Sequence, residues 1–513
     1  MIDLAADRSA ADPSGLALVD AATGRHLSWA DLDRAAGRAA AQLAALGVGR
    51  GDRVVLAAPA GVGFAVVLHA AIRLGASLVP VAPGAAVAEL EGPLRVCRPR
   101  VALGGGDALI RLAAAVLAIE AQEAPVAVHD LDQLTAGGGL SGPEAARARG
   151  RRRGLRLADE ICVVHTSGTT GRPKGVRLTL GNQIASARGC AESLGLRRDD
   201  HWLLLLAPHH VGGLAVLLRS AVLGHPVSVL PRFDETAALA VLAGGDPTVL
   251  PLVPTMLTRL VAAGGTDRLR RLRAILLGGA PARPSDVADW VDQGLRVCPS
   301  YGLTETGSQV ATVPPGRAGS LGAAAGLAHR FARVRILAEG GARRPVAAGR
   351  PGRIEVSGPV VSPGYVEPDP AGGPGRGRFV TRDRGWLDPH GVLHLIGRAD
   401  DAILSGGEMI QPEEVERVLL RHPLIADAAV AGVPDPVWGQ RLVAVLVARP
   451  GGREQAEREV SAHCRAALSG ARVPRSWCWV DRLPRSEAGK LLRRELVRLT
   501  GGDGADRVTP AGR

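Results

Sequence analysis

A chain of 513 residues exceeds what one hydrophobic core supports, so two or three domains are expected. Hydrophobic residues make up 46% of it and aromatics only 3%, which suits a globular core of Ala, Val and Leu. The same scarcity of stacking residues argues against nucleic-acid binding as the use of the +12 net charge.

The N-terminus, MIDLAADRSAADPSG, is acidic early and lacks the apolar run of a secretory signal. From residue 28 the pattern alternates: a helix over 29–46, a strand over 53–58, a helix over 62–74 and a strand over 77–81. Arginines crowd residues 147–156 (RARGRRRGLR) between periodic segments, and this run reads as a solvated linker. Apolar strands resume at 161–165, 202–207, 227–230, 248–252, 272–277 and 295–298, with helix-length segments between. Such alternation predicts an α/β fold with largely parallel sheets covered on both faces. The most apolar stretch, 203–230, is interrupted by His209, His210, Arg219, His225 and Pro226, a set that a bilayer span tolerates poorly. Short strands at 334–337, 353–357 and 392–396 with Gly/Pro turns predict a β-rich subdomain over about 330–397. Beyond lies a mixed pattern of helices (412–421, 454–468) and strands (428–433, 442–447, 477–480). The expected organisation is a large N-terminal domain, 1–397, of layered αβα sheets, followed by a small mobile α+β domain, 398–513. The six cysteines form no CxxC pair and no Cys/His cluster, as in reduced, buried thiols of a cytoplasmic protein.

Of the 62 Lys and Arg residues, only Lys174 and Lys490 are lysine, and asparagine is nearly absent. Where arginine has replaced almost every lysine, the survivors mark positions at which a compact ammonium is wanted and a planar fork is not. Lys174 closes Thr166-Ser167-Gly168-Thr169-Thr170-Gly171-Arg172-Pro173-Lys174-Gly175, directly after an apolar strand. Glycines let backbone N–H groups close around phosphate oxygens, hydroxyls add donors, and Lys174 adds charge to the β- and γ-phosphates. Gly175 after the lysine separates it from a Walker loop.

This segment resembles the phosphate loop of the adenylate-forming superfamily, which includes the acyl- and aryl-CoA synthetases. The likeness runs from about residue 28 to 496, with the motifs in the family's order. Tyr301-Gly302-Leu303-Thr304-Glu305-Thr306 resembles the second signature. The resemblance implies that Tyr301 packs on adenine, Thr304 contacts the α-phosphate and Glu305 helps hold Mg²⁺, as a carboxylate beside a triphosphate requires. Gly278, Gly279 and Ala280 resemble the segment on which adenine lies. Asp383 matches the aspartate on the ribose hydroxyls, although Arg382 stands where the family usually has glycine, and Arg398 matches the arginine reaching the same ribose. Asp400 matches the hinge, Gly406 and Gly407 the loop lining the thiol tunnel. Lys490, in PRSEAGKL, matches the lysine between substrate carboxylate and α-phosphate.

The implied reaction attaches AMP to a carboxylate, expels pyrophosphate and lets the thiol of CoA displace AMP, so ATP, Mg²⁺ and CoA are the expected cofactors and co-substrate. Positive charge is needed where the phosphorus becomes pentavalent, which makes Lys490, Thr304, Glu305 and Lys174 the catalytic set. The segment Ala207–Leu214 sits where the family starts its acyl pocket, and no aspartate occurs between Trp202 and Ser220 to pair a substrate ammonium. His210 and Gly212, with Ser308 and Gln309, are therefore expected to line a pocket for an acid without an α-amino group. His209 and His210, read as neighbours on one strand, are expected to diverge, with His210 facing the pocket and His209 packed outside. Asp200-His201-Trp202, Leu218-Arg219-Ser220, Ser308-Gln309 and Gly406–Pro412 are similar to the o-succinylbenzoate–CoA ligases of menaquinone synthesis. Three alternatives stay open: another aryl- or acyl-CoA ligase, an adenylating enzyme that loads a carrier protein, and a basic nucleic-acid-binding protein that keeps the fold. Expected partners are a small carboxylic acid and CoA, with no nucleic acid and no membrane span; a homo-oligomer stays open.

Overall fold

The structure is a computed structural model that describes residues 2–120, 126–135, 155–166, 174–338, 343–369, 372–405, 408–468, 472–486, 489, 491–501 and 508–510. By packing, the chain divides into two compact units, Met1–Val334 with Val356–Val380, and Arg335–Glu355 with Thr381–Arg513.

The first unit is built on two large sheets. One has six strands in the order Ala127–Asp130, Val101–Gly104, Arg53–Ala57, Ser77–Val81, Glu160–Thr166 and Lys174–Thr179. Its strands run parallel except for the last pair. The other has nine, in the order Leu327–Ala328, Ser308–Thr312, Val297–Leu303, Ala274–Leu277, Val249–Leu252, Trp202–Leu204, Val227–Val229, Leu16–Asp20 and Arg25–Ser28. Its centre is parallel, with antiparallel pairs at both ends. The helix Val62–Leu74 is apolar nearly all round and buried along its length, as a helix between two sheets must be. It packs in one core with Val54 and Leu56 of the first sheet, Trp202 and Leu204 of the second, and Leu214 and Leu218 of the helix Val211–Leu223. Two layers of sheet with buried helices between them are the layered α/β architecture expected.

A four-stranded sheet runs in the order Arg333–Leu337, Gly352–Ser357, Arg378–Leu387 and Leu393–Arg398. Further along the second unit, a six-stranded sheet centres on Gly439–Ala448, flanked by Ile425–Asp435 and Ser476–Trp479. The helices Pro412–Leu419 and Arg453–Ala467 supply Val415, Leu419, Ala456 and Val460 to a core with Leu442, Ala444, Leu446, Trp477 and Trp479. All six cysteines are buried and none forms a disulfide. Among the described residues no helix is long and apolar enough to cross a membrane.

Candidate active site

In the first unit, the strand Glu160–Thr166 returns antiparallel as Lys174–Thr179, with Thr166 paired to Lys174. The segment between them is the Gly/Thr-rich signature; Ser167, Gly168, Thr169, Thr170 and Gly171 lie outside the described residues. Glu160 anchors the start of this hairpin, accepting from Arg177 Nε at 2.6 Å and Arg53 Nε at 3.1 Å. Lys174 at the other end is ion-paired with Asp369, and its ammonium stands 5.6 Å from the ring centre of Tyr365.

The signature Tyr301–Thr306 begins on a strand and ends in a single 3₁₀ turn, Thr304–Thr306. Gly302 is dictated by close approach, since a Cβ there would lie 2.2 Å from the Ser308 carbonyl oxygen. Tyr301 is buried, and Glu305 is held from the segment 358–369: Tyr365 donates its hydroxyl hydrogen to Glu305 Oε1 at 2.8 Å, and the Ser362 N–H donates to the Glu305 carbonyl at 2.8 Å. Gly278 and Gly279 follow the strand Ala274–Leu277, where Ser300 Oγ donates to the Leu277 carbonyl at 2.7 Å and Gly279 has φ +77°. Strand ends of one sheet thus gather Gly278–Ala280 and Tyr301–Glu305.

The tandem histidines depart from expectation. They lie in the turn before the helix Val211–Leu223 rather than on a strand, so their rings do not diverge but stand 4.4 Å apart. His210 is the exposed N-cap residue, while His209 is the more enclosed, with Nδ1 buried and unpartnered; burial lowers its pKa to about 4. Gly212 stands in the first turn of the same helix, 3.4 Å from a Leu206 methyl by the position a Cβ would take.

The sequence reading missed the role of Arg219. It is 2% exposed, and Nη2 donates to Ser308 Oγ at 2.7 Å. Its guanidinium carbon lies 5.9 Å from the Trp202 ring centre. Among the described residues no carboxylate pairs with it, and its Nε, like Trp202 Nε1 and Gln309 Oε1, is buried without a partner. Ser308 has φ +136°, a region that residues with a side chain rarely occupy and that persists only where the surroundings enforce it. Gln309 is also buried, its Nε2 donating to Thr312 Oγ1 at 2.9 Å. The one available signal for Arg219 was a charged residue alone in an otherwise apolar helix.

In the second unit, Asp383 and Arg398 are cross-strand partners, with Arg398 Nη1 donating to Asp383 Oδ1 at 3.3 Å. Burial alone would lower the Arg398 pKa, but Asp383 and Asp400 raise it above its ordinary value. Arg382, where the family has glycine, donates to Asp400 Oδ2 at 2.9 Å, and Arg398 Nη2 reaches the same oxygen at 3.3 Å. The departure from the family pattern therefore braces the proposed hinge residue. Gly406, Gly407 and Lys490 lie outside the described residues.

Over residues 6–366 the chain matches the family described as AMP-binding enzyme, and over 414–490 the AMP-binding enzyme C-terminal domain. A 2-succinylbenzoate–CoA ligase of Bacillus anthracis (strain A0248) is 35% identical over 457 residues, covering 88% of this chain and 89% of that one. The o-succinylbenzoate CoA synthetase MenE of Bacillus subtilis, solved with the acyl-adenylate intermediate OSB-AMP, superposes with a TM-score of 0.84 at 30% identity, covering 97% and 98% of the two chains. The same B. subtilis enzyme with ATP and magnesium ion gives 0.82 at 29% identity, covering 96% and 99%.

Proposed function

The chain belongs to the AMP-binding enzyme family, and on that premise we propose that it is an ATP-dependent o-succinylbenzoate–CoA ligase of menaquinone synthesis, working through an acyl-adenylate. The observation that carries the substrate is Arg219. A buried guanidinium without a carboxylate costs several kcal/mol of desolvation unless a ligand completes it. A second substrate carboxylate, paired with Arg219 and Ser308 Oγ, would do so with charge-assisted hydrogen bonds. o-Succinylbenzoate carries one carboxylate to activate and one to spare, whereas a fatty or simple aryl acid has nothing to offer this site. His210, Gly212 and Gln309 complete the acid-binding set.

ATP would lie with its adenine on Tyr301 and Gly278–Ala280, its ribose on Asp383 and Arg398, and its phosphates on Thr166–Gly171, Thr304 and Lys174. Glu305 fits a hard divalent cation, being a carboxylate held from behind by Tyr365 with its remaining oxygen to give. Mg²⁺ there would neutralise the polyphosphate. Lys490 would supply charge between the two anions that must meet in adenylation. As the part of the chain from Arg398 turns at Asp400, Gly406 and Gly407 would replace Lys490 for attack by the CoA thiol. The protein is proposed to act in the cytoplasm on small molecules, without nucleic acid.

The test is exchange of labelled pyrophosphate into ATP over a panel of acids, with CoA then supplied for the second step. We expect o-succinylbenzoate to surpass its analogue lacking the ring carboxylate by about 10²-fold, as for a site whose buried polar group is left unpaired. Arg219→Met should abolish that preference. Equal use of both acids by the wild type refutes the assignment, and adenylation without transfer to CoA points to a carrier-protein acceptor instead.

A further inference from the structure

The residues after Lys490 carry a cluster that the reaction described so far does not use. Described residues on either side of that lysine are tied together: the Leu492 N–H donates to the Pro484 carbonyl at 2.9 Å, Arg485 and Leu491 form an antiparallel bridge, and Arg485 Nη1 donates to the Gly489 carbonyl at 3.1 Å. In the sequence, Lys490 follows Gly489 and precedes Leu491. Two arginines of this segment reach outward. Arg485 Nη2 donates to Asp427 Oδ2 at 2.9 Å. Arg493 spends its whole fork: Nε to Asp401 Oδ2 at 3.1 Å, Nη1 to Glu416 Oε1 at 2.7 Å and the Val430 carbonyl at 3.2 Å, and Nη2 to Glu413 Oε1 at 2.6 Å.

We propose that Arg493 is a positioning residue for adenylation: it locks the chain three residues after Lys490 to the helix Pro412–Leu419 and to Asp401, next to the proposed hinge Asp400, and so fixes where the segment bearing the adenylation lysine departs from that helix. This rests on the reading of Lys490 as the adenylation lysine. Three carboxylates about one guanidinium are a poor arrangement for stability alone, because their mutual repulsion is only partly offset. They are a good arrangement for direction, since a planar fork engaged on every side leaves the backbone leaving it one orientation. Burial, opposed by Arg493 and reinforced by Glu416 and Asp401, pushes the Glu413 pKa up to about 7, as expected where carboxylates gather around one guanidinium. A lysine that must meet a transferring phosphoryl group within about an ångström needs such an anchor, because a misplacement of that size costs about 10²-fold.

The test compares the full-length wild type with R493M, E413Q, K490A and the double variant R493M/K490A. Single-turnover adenylation, thioester formation from supplied acyl-adenylate and melting temperature are read for each. R493M should lower adenylation kcat by about 30-fold, with KM for ATP within about twofold and thioester formation within about threefold. E413Q, which preserves the other contacts of the fork, should give a smaller loss confined to the same half-reaction, and it decides the matter if R493M does not fold. The double variant should be no slower than K490A, because Arg493 acts through Lys490. Normal adenylation in both R493M and E413Q, equal loss in both half-reactions, or additive loss in the double variant overturns the proposal. Normal adenylation by K490A removes the underlying reading of Lys490 instead.

Discussion

Tyr365 and Glu305, sixty residues apart, are joined by a hydrogen bond of 2.8 Å from the phenol to the carboxylate. The same segment, 358–369, also supplies Asp369 to Lys174, so a single stretch holds both charged groups assigned to the triphosphate and its metal. A hydrogen bond to a carboxylate contributes about 1.5–3 kcal/mol. Tyr365→Phe should therefore loosen Glu305 and raise the Mg²⁺ concentration for half-maximal pyrophosphate exchange about tenfold, with the melting temperature nearly unchanged. A Mg²⁺ titration of both proteins at saturating ATP checks it; an unaltered midpoint would separate Tyr365 from metal binding.

Asn182 is the sole asparagine of the chain and is buried. Its Oδ1 accepts from the Thr179 N–H and hydroxyl at 2.9 Å, capping the helix Leu180–Leu194, while Nδ2 donates to the carbonyls of Pro359 and Val361 at 2.8 and 2.9 Å. One side chain thus ties a helix start to the segment that carries Tyr365. Asn182→Ala leaves a cap and two carbonyls without partners and should cost about 2–4 kcal/mol. Asn182→Asp, which keeps the cap but turns an acceptor towards two carbonyls, should fare no better. Urea unfolding midpoints read both.

What could be read from residues alone divides along physical lines. The strand at 53–57 and the helix Val62–Leu74 were legible because continuous apolar runs bounded by glycine admit few other structures. The antiparallel edge strand Arg25–Ser28 was not, since edge strands carry polar residues and lose the apolar pattern. The phosphate and adenine motifs are local in sequence and could be named at once. Arg219, Tyr365, Asp369 and Arg493 could not be assigned roles, because each acts on a partner far along the chain. An arginine in a chain where arginine is the default cation also carries little signal of its own. The histidine pair was misplaced for another reason: the strand ends at Leu204 and residues 208–210 form a turn, so the side-to-side alternation of a strand does not apply to them.

Acid should weaken the fold through its buried histidines. His69, on the central helix Val62–Leu74, is 3% exposed, and burial lowers its pKa from 6.5 to about 4; burial does the same for His165 and His209. Between those limits the unfolded chain takes up protons that the folded chain refuses. The stability is therefore fully present above about pH 6.5 and is lost progressively as pH falls towards 4. Urea midpoints at pH 7.5 and 5 should differ clearly, and His69→Leu should shrink the difference. A midpoint independent of pH in this window would contradict the burial argument.

If the net charge of +12 is a by-product of composition rather than a binding surface, DNA binding should be weak, independent of sequence and abolished by moderate salt. Fluorescence anisotropy with unrelated duplexes at two salt concentrations is decisive; tight, sequence-selective binding at physiological salt would restore the nucleic-acid reading.

The two lysines give the sharpest test. Lys174 is partly buried, clamped by Asp369 and close over Tyr365, a setting with room for a compact ammonium. An arginine there keeps the charge and can still pair with Asp369, but its planar fork is larger and directs its donors elsewhere. Lys174→Arg should fold with a melting temperature near that of the wild type and use ATP about 10²-fold less efficiently, the cost of donors misplaced by about an ångström. Lys490→Arg should instead leave ATP binding intact and slow adenylation by a similar factor, while thioester formation from supplied acyl-adenylate continues. Asp369→Asn offers a control on the first position: it frees the ammonium from a competing carboxylate, so ATP should bind at least as tightly as to the wild type. Melting curves, ATP titrations and single-turnover adenylation of the three variants separate these outcomes. An arginine variant that adenylates at the wild-type rate would mean that its lysine persisted by chance, and that scarcity carried no functional information at that position.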